Sequence, residues 1–136
     1  MLGAVDHVGF LARDLKDAVA DYSRIFGIEI VRTINRPQFS LIGHYLGETA
    51  SVEIFSFTDE ELLQERLAGA DLVFDHVAHV VEDIDLVASE LSARGVRFCG
   101  PNRREELRDP IDLGGVRHLW TVPETSWGRM IQLIEH

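Results

Sequence analysis

"DHVGFLARDLKDAV" spans residues 6–19, and "DHVAHVVEDIDLVA" spans residues 75–88. The chain writes one phrase twice. Asp6 matches Asp75, His7 matches His76, Val8 matches Val77 and Asp14 matches Asp83, all at a constant separation of 69 residues, about half of the chain. The match holds its register through an apolar segment and on into an amphipathic one. A fixed period of this kind points to two copies of one supersecondary unit, each too small to bury its own apolar face.

Reading outward from the first copy, residues 5–12 predict a strand and Asp14 an N-cap, where a carboxylate accepts from unpaired backbone N–H groups. Leu15, Ala18, Val19, Tyr22, Ile25 and Phe26 follow at helical spacing, and Gly27 closes the helix. Residues 28–34, 39–47 and 51–57 each read as a strand. Next, "TDEELLQERLAG" (58–69) reads as a short linking helix, opened by Thr58 with Glu61 at capping-box spacing. In the second copy, residues 72–81 predict a strand. Asp83 caps a helix carrying Ile84, Val87, Ala88 and Leu91 on one face, and Gly95 ends it. A short strand at 96–100 precedes a polar, Pro- and Gly-bearing stretch at 101–115, read as irregular loop; residues 116–122 and 128–135 are the final strands.

Each half is therefore β-α-β-β-β. The fold expected is α+β: two βαβββ modules forming a curled, cup-shaped mixed sheet with pseudo-twofold symmetry. Residues 1–136 make a single domain, with modules at 1–57 and 71–136 and the linking helix at 58–70. Pairing the modules would bury what each alone leaves exposed.

Bulk properties narrow the function. The net charge of −10 argues against nucleic acid and anionic membranes as partners, since both reward positive charge. No apolar run approaches the roughly 18 residues of a membrane span, and no signal peptide is visible at the N-terminus. Cys99 is the one cysteine, so no internal disulfide forms, which fits a reducing, cytoplasmic setting. Cys99 has no base signature beside it and is expected to be buried.

Two histidines related by the repeat, His7 and His76, would face each other near the pseudo-twofold axis. Glu53 lies in an otherwise apolar strand, where an unpaired carboxylate is costly and needs a metal, a partner or a solvated sheet face. Each histidine alone also reads as an ordinary structural residue of a half-buried strand. The 103–108 run "RREELR" reads as a solvated lip whose arginines are candidates for touching an anionic substrate. Trp120 and Trp127 are candidates for lining the cup or the core.

The pattern "DHVGF", "RDL", amphipathic helix, "FGIEIV", then "DHVAHVVEDID", helix, "ARGV" and a closing "WGRMIQLIE" resembles the vicinal oxygen chelate superfamily. Its members include glyoxalase I, methylmalonyl-CoA epimerase, extradiol dioxygenases, and fosfomycin and bleomycin resistance proteins. The resemblance covers essentially the whole chain and implies one divalent metal ion held by the first and last strands of each module. Carried over by position, the ligands are His7, Glu53, His76 and Gln132. Glutamate is usual at the last of these positions in the glyoxalase and epimerase pattern. His79 is not equivalent to a ligand, since it matches Phe10 under the repeat. A mixed N/O set of this kind suits Zn, Ni, Co, Mn or Fe(II).

The resemblance implies a metal-dependent lyase or isomerase, glyoxalase- or epimerase-like, moving a proton next to a chelated carbonyl, with Glu53 as ligand and base. An epimerase normally wants two bases, and His44 is the other candidate. The alternatives are an Fe(II) extradiol-type dioxygenase using His7, His76 and Glu53, and a small-molecule binding or resistance protein without catalysis. The expected partners are a small molecule (a thioester, hemithioacetal or catechol) and a second copy of the chain in a homodimer.

Overall fold

The computed structural model describes residues 1–136. Their packing divides the chain into two compact units. One comprises His7–Asp75; the other comprises Met1–Asp6 with His76–His136. The change of unit falls inside two strands, β1 (Val5–Ala12) and β5 (Leu72–Val80).

The 7–75 unit continues from β1 through α1 (Leu15–Phe26), β2 (Ile30–Arg36), β3 (Leu41–Leu46), β4 (Val52–Phe57) and α2 (Glu60–Leu67). Its strands lie in the order β2-β3-β4-β1. β1 runs parallel to β4, with Gly9 opposite Glu53, and the other pairs are antiparallel. As expected, Asp14 caps α1, accepting from the Asp17 N–H at 3.0 Å, and Gly27 ends it in the left-handed region. The apolar stripe of α1 then covers one sheet face, packing Val19 with Ala12, Leu46 and Ile54. On the other face, Leu62, Leu63 and Leu67 of α2 pack with Leu11, Leu41, Phe55 and Phe57. The linking segment is thus part of this unit's core.

The cap of α2 differs from the one expected. Asp59, not Thr58, is the N-cap, accepting from the Leu62 N–H at 3.0 Å. Thr58 is turned away: its hydroxyl and its N–H both donate to the Ser40 carbonyl. A carboxylate also suits the positive end of the helix better than a hydroxyl. Asp59→Ala should therefore cost about 1 kcal/mol, read as a lowered urea midpoint at unchanged slope, whereas a Thr58 substitution that costs more than Asp59→Ala would contradict this assignment.

Two polar devices finish the unit. Arg66 of α2 is paired with Asp75 of β5; the two side chains are 7% and 4% exposed, and the guanidinium carbon also sits 5.2 Å from the Phe57 ring centroid. Arg13, just past β1, binds what precedes β5: its N–H donates to the Asp71 carbonyl at 2.8 Å, and its guanidinium reaches the Asp71 carboxylate at 3.2 Å and the Ala70 carbonyl at 3.0 Å.

The second unit carries α3 (Ile84–Ala93), β6 (Phe98–Cys99), β7 (Glu106–Leu107), β8 (Ile111–Leu113), β9 (Val116–Thr121) and β10 (Met130–Glu135). Its strands lie in the order β5-β10-β9-β6-β7, with β8 pairing beside β9. β5 is parallel to β10, with Ala78 opposite Gln132. Gly3 and Ala4 extend this sheet by exchanging backbone bonds with Val80, and only glycine allows it, since a Cβ at residue 3 would stand 2.4 Å from the Val80 oxygen. Asp83 caps α3 as expected, through the Leu86 N–H, and Ile84, Val87 and Ala88 pack on Phe98, Leu119 and Leu133.

The stretch 101–115, expected as loop, contains β7 and β8. The β8–β9 hairpin turns at Gly114 and Gly115, both at positive φ, with the Asp112 carboxylate accepting from the Gly115 N–H at 2.7 Å. Paired positive-φ residues match the twist of a tight hairpin, and Gly-Gly between two apolar segments is its sequence signal.

The two halves share one topology. The order β2-β3-β4-β1 in the first is matched by β6-β9-β10-β5 in the second, and in each the first strand of the module is parallel to the last. The fold is α+β, with mixed sheets and three helices. No helix is long and apolar enough to cross a membrane.

Candidate functional site

In the 7–75 unit, strand pairing decides which residues share a face. Residues directly opposite each other in a pair point to the same side, and neighbours along a strand to opposite sides. Glu53 is opposite Gly9 on one flank and Tyr45 on the other. His7, two residues before Gly9, therefore shares the Glu53 face, and so does Arg32, which is opposite Tyr45. His7 Nε2 lies 3.8 Å from Glu53 Oε2, with the two residues 1% and 5% exposed. The Tyr45 ring meets the His7 imidazole edge-on at 5.0 Å, and the Arg32 guanidinium covers the Tyr45 ring at 4.2 Å. The Tyr45 ring, itself covered by the arginine, holds His7 in one orientation.

His44, expected as a base beside Glu53, is not on this face. It pairs with Ile54, whose side chain lies under α1, and its Nδ1 is 2.9 Å from the Thr33 hydroxyl. It is the immediate neighbour of Tyr45 along β3, and that single step turns it to the opposite side of the sheet.

In the second unit, Met130 is opposite His76 and Gln132 is opposite Ala78, so His76 and Gln132 share a face. Both residues are buried, at 4% exposure. Gln132 stands to His76 as Glu53 stands to His7: each is opposite the second residue after its histidine. Trp120, opposite Gln132, and His118, opposite Ile134, lie on the same side. Gln132 Nε2 is 3.0 Å from His118 Nδ1, and the His118 ring stacks on Trp120 with centroids 5.6 Å apart and planes inclined by 12°.

Sequence reasoning missed His118. The repeat could not show it, because the equivalent position in the first half, opposite Phe55, is Gly43. A usable signal was strand alternation, which puts His118 and Trp120 on one side of "VRHLWT". Trp120 is buried among Cys99 and Met130, but Trp127 is 99% exposed and lines nothing. Cys99 is buried as expected, its thiol directed at the Thr121 carbonyl. Arg103 and Arg104 are exposed, as a solvated lip would be.

Burial bears on the candidate ligands. The buried polar residues are His7, Glu53, Ser56, Asp75, His76, Thr121 and Gln132, and four of these seven are the ligands expected from the sequence. Asp75 and Thr121 have structural partners in Arg66 and in the Ser126 hydroxyl. Each unit thus removes from water one imidazole and one side-chain oxygen donor, His7 with Glu53 and His76 with Gln132, and such donors are of the kinds that suit a divalent ion of the borderline N/O class.

Residues 6–111 match the family model of the Glyoxalase/Bleomycin resistance protein/Dioxygenase superfamily. The chain belongs to that superfamily. A curated relative, the 2-epi-5-epi-valiolone epimerase of an Actinomyces species, is 27% identical over 149 aligned positions, which take in 96% of this chain and 78% of that protein. Among solved structures, the methylmalonyl-CoA epimerase of Mycobacterium tuberculosis superposes with a TM-score of 0.82 at 21% identity, covering 98% of this chain and 88% of its own. A Streptomyces coelicolor methylmalonyl-CoA epimerase variant in complex with 2-nitronate-propionyl-CoA gives 0.82 and 21%, covering 99% and 98%. At these identities the structural likeness shows the fold.

Proposed function

We propose that the protein is a metal-dependent epimerase that moves a proton at a carbon next to a carbonyl, using His7, Glu53, His76 and Gln132 as the ligands of one divalent ion. The observation that carries this reading is the burial of these four side chains at matched register in the two halves. The superfamily and the epimerases among the similar proteins support it. The substrates in their names, a CoA thioester and a valiolone, have a carbonyl in common, so the substrate class is a small carbonyl compound with an epimerisable neighbour carbon.

A divalent ion, when bound, supplies a Lewis acid for the substrate oxygen, which lowers the cost of removing the adjacent proton. The chain does the rest. His7 and His76 each contribute a neutral ring nitrogen, and Gln132 a neutral oxygen. Glu53 contributes the one negative charge, leaving the centre at about +1 and therefore attractive to an oxygen anion. As the single carboxylate, Glu53 is also the group that takes the proton; inversion then requires the flat enolate to turn its other face to Glu53 before the proton goes back to carbon. Burial keeps water from competing for that proton. A pair of chains belongs to the same reading, since Ile25, Phe26, Ile30 and Val31 are exposed on the 7–75 unit and call for cover.

The test is metal analysis of purified protein, followed by incubation in deuterium oxide with branched acyl thioesters, 2-hydroxy ketones and catechols. Metal-dependent deuterium incorporation next to the carbonyl is the expected result. Oxygen uptake with a catechol, and no exchange, would give the protein to the oxygenases; ligand binding with neither would make it a binding protein.

A further inference from the structure

We infer that His118 is a positioning residue for the metal centre: it accepts the Gln132 amide N–H and so turns the Gln132 oxygen toward the face shared with His76. The inference rests on the metal-site reading above and deepens it. A carboxamide has two ends of nearly equal size, but only its oxygen can ligate a cation, because the amide nitrogen has no lone pair to give. A glutamine ligand therefore needs something to choose its orientation. His118 Nδ1 lies 3.0 Å from Gln132 Nε2; the amide nitrogen can only donate, so the ring meets it as the tautomer with its proton on Nε2, and in that tautomer Nδ1 accepts the N–H and repels the amide oxygen.

His118 is itself held. Its ring lies almost flat on Trp120, which is 5% exposed and packed with Cys99 and Met130. The first half shows why this device is found on one side only. The position equivalent to His118 is Gly43, where even a Cβ would stand 2.8 Å from the Phe55 Cβ. No orienting side chain fits there, and none is needed, because either oxygen of Glu53 can ligate. An amide at 132 and an imidazole at 118 thus form one functional pair.

Cobalt(II) titration, followed by calorimetry and by visible absorption, tests the pair. His118→Phe keeps a ring on Trp120 but removes the acceptor, and should weaken cobalt binding about 10- to 100-fold, the usual effect of losing an outer-shell partner. His118→Asn places an amide oxygen close to the Nδ1 position and should bind within about threefold of wild type. In a Gln132→Glu background the His118→Phe penalty should nearly vanish, because a carboxylate needs no orientation. Thermal melts identify any variant that fails to fold. Equal affinity of wild type and His118→Phe would overturn the inference and leave the metal site standing. Equal weakening by Phe and Asn, or a His118→Phe penalty that persists undiminished in the Gln132→Glu background, would reduce His118 to a packing residue. Absence of cobalt binding by the wild type would remove both readings.

Discussion

Glu53→Gln should lower metal-dependent proton exchange by about 10²- to 10⁴-fold, the range general-base catalysis usually contributes. The substitution keeps the size and shape of a side chain that is 5% exposed and lies 3.8 Å from His7 Nε2, so packing is little disturbed. What changes is charge. The donor set would hold two imidazoles and two carboxamides, with no base for the substrate proton and no anion to offset the ion. Affinity for the metal should fall as well, and the two losses are separable by measuring exchange at saturating cobalt(II). If the rate at saturation equals that of the wild type, Glu53 is a ligand and not the base. Gln132→Glu moves the charge the other way and should tighten metal binding.

The largest expected loss of stability lies away from this centre. Arg66→Met should destabilise the protein by about 3–5 kcal/mol, because it leaves the Asp75 charge in a buried place without its guanidinium. Both side chains of the pair are less than a tenth exposed. Methionine keeps most of the apolar contact with Phe57, so the loss reports the charge and not the stem. Adding Asp75→Asn removes the stranded charge and should recover much of the deficit. Urea unfolding of the single and double variants measures both effects. A single-variant loss below about 1 kcal/mol would show that Asp75 is solvated or paired well enough without Arg66.

The repeat made much of this molecule readable in advance. Matching His7 with His76 placed the first strand of each half, and the caps at Asp14 and Asp83 followed from the same alignment. The ligand candidates at 53 and 132 proved to occupy the same register in their two sheets. What escaped was what a repeat cannot encode. His118 has a glycine as its counterpart, so comparison of the halves passes over it. His44 has the chemistry of a base, but the parity of one strand position turns it away from Glu53. Asp59 displaced Thr58 as a cap because the Ser40 carbonyl, eighteen residues back, engages the threonine. The β8 strand lay hidden in a polar stretch because three residues are too few for an alternation pattern to register.

The Arg13–Asp71 contact has a bearing on how such a chain arises. It fastens the beginning of the 7–75 unit to its end, so the chain leaves that unit beside the point where it came in. Residues 7 to 75 number 69, which is also the spacing of the repeat. A segment whose two ends already meet can be copied in tandem without a connector, and each copy is then free to change by itself. One copy carries an acid at position 53; the other carries an amide at the matching position 132, in contact with the His118 imidazole. Tandem copying of such a segment would give a scaffold in which, on the metal-site reading proposed above, a single codon sets the charge of the donor set and leaves the opposite half of the protein untouched.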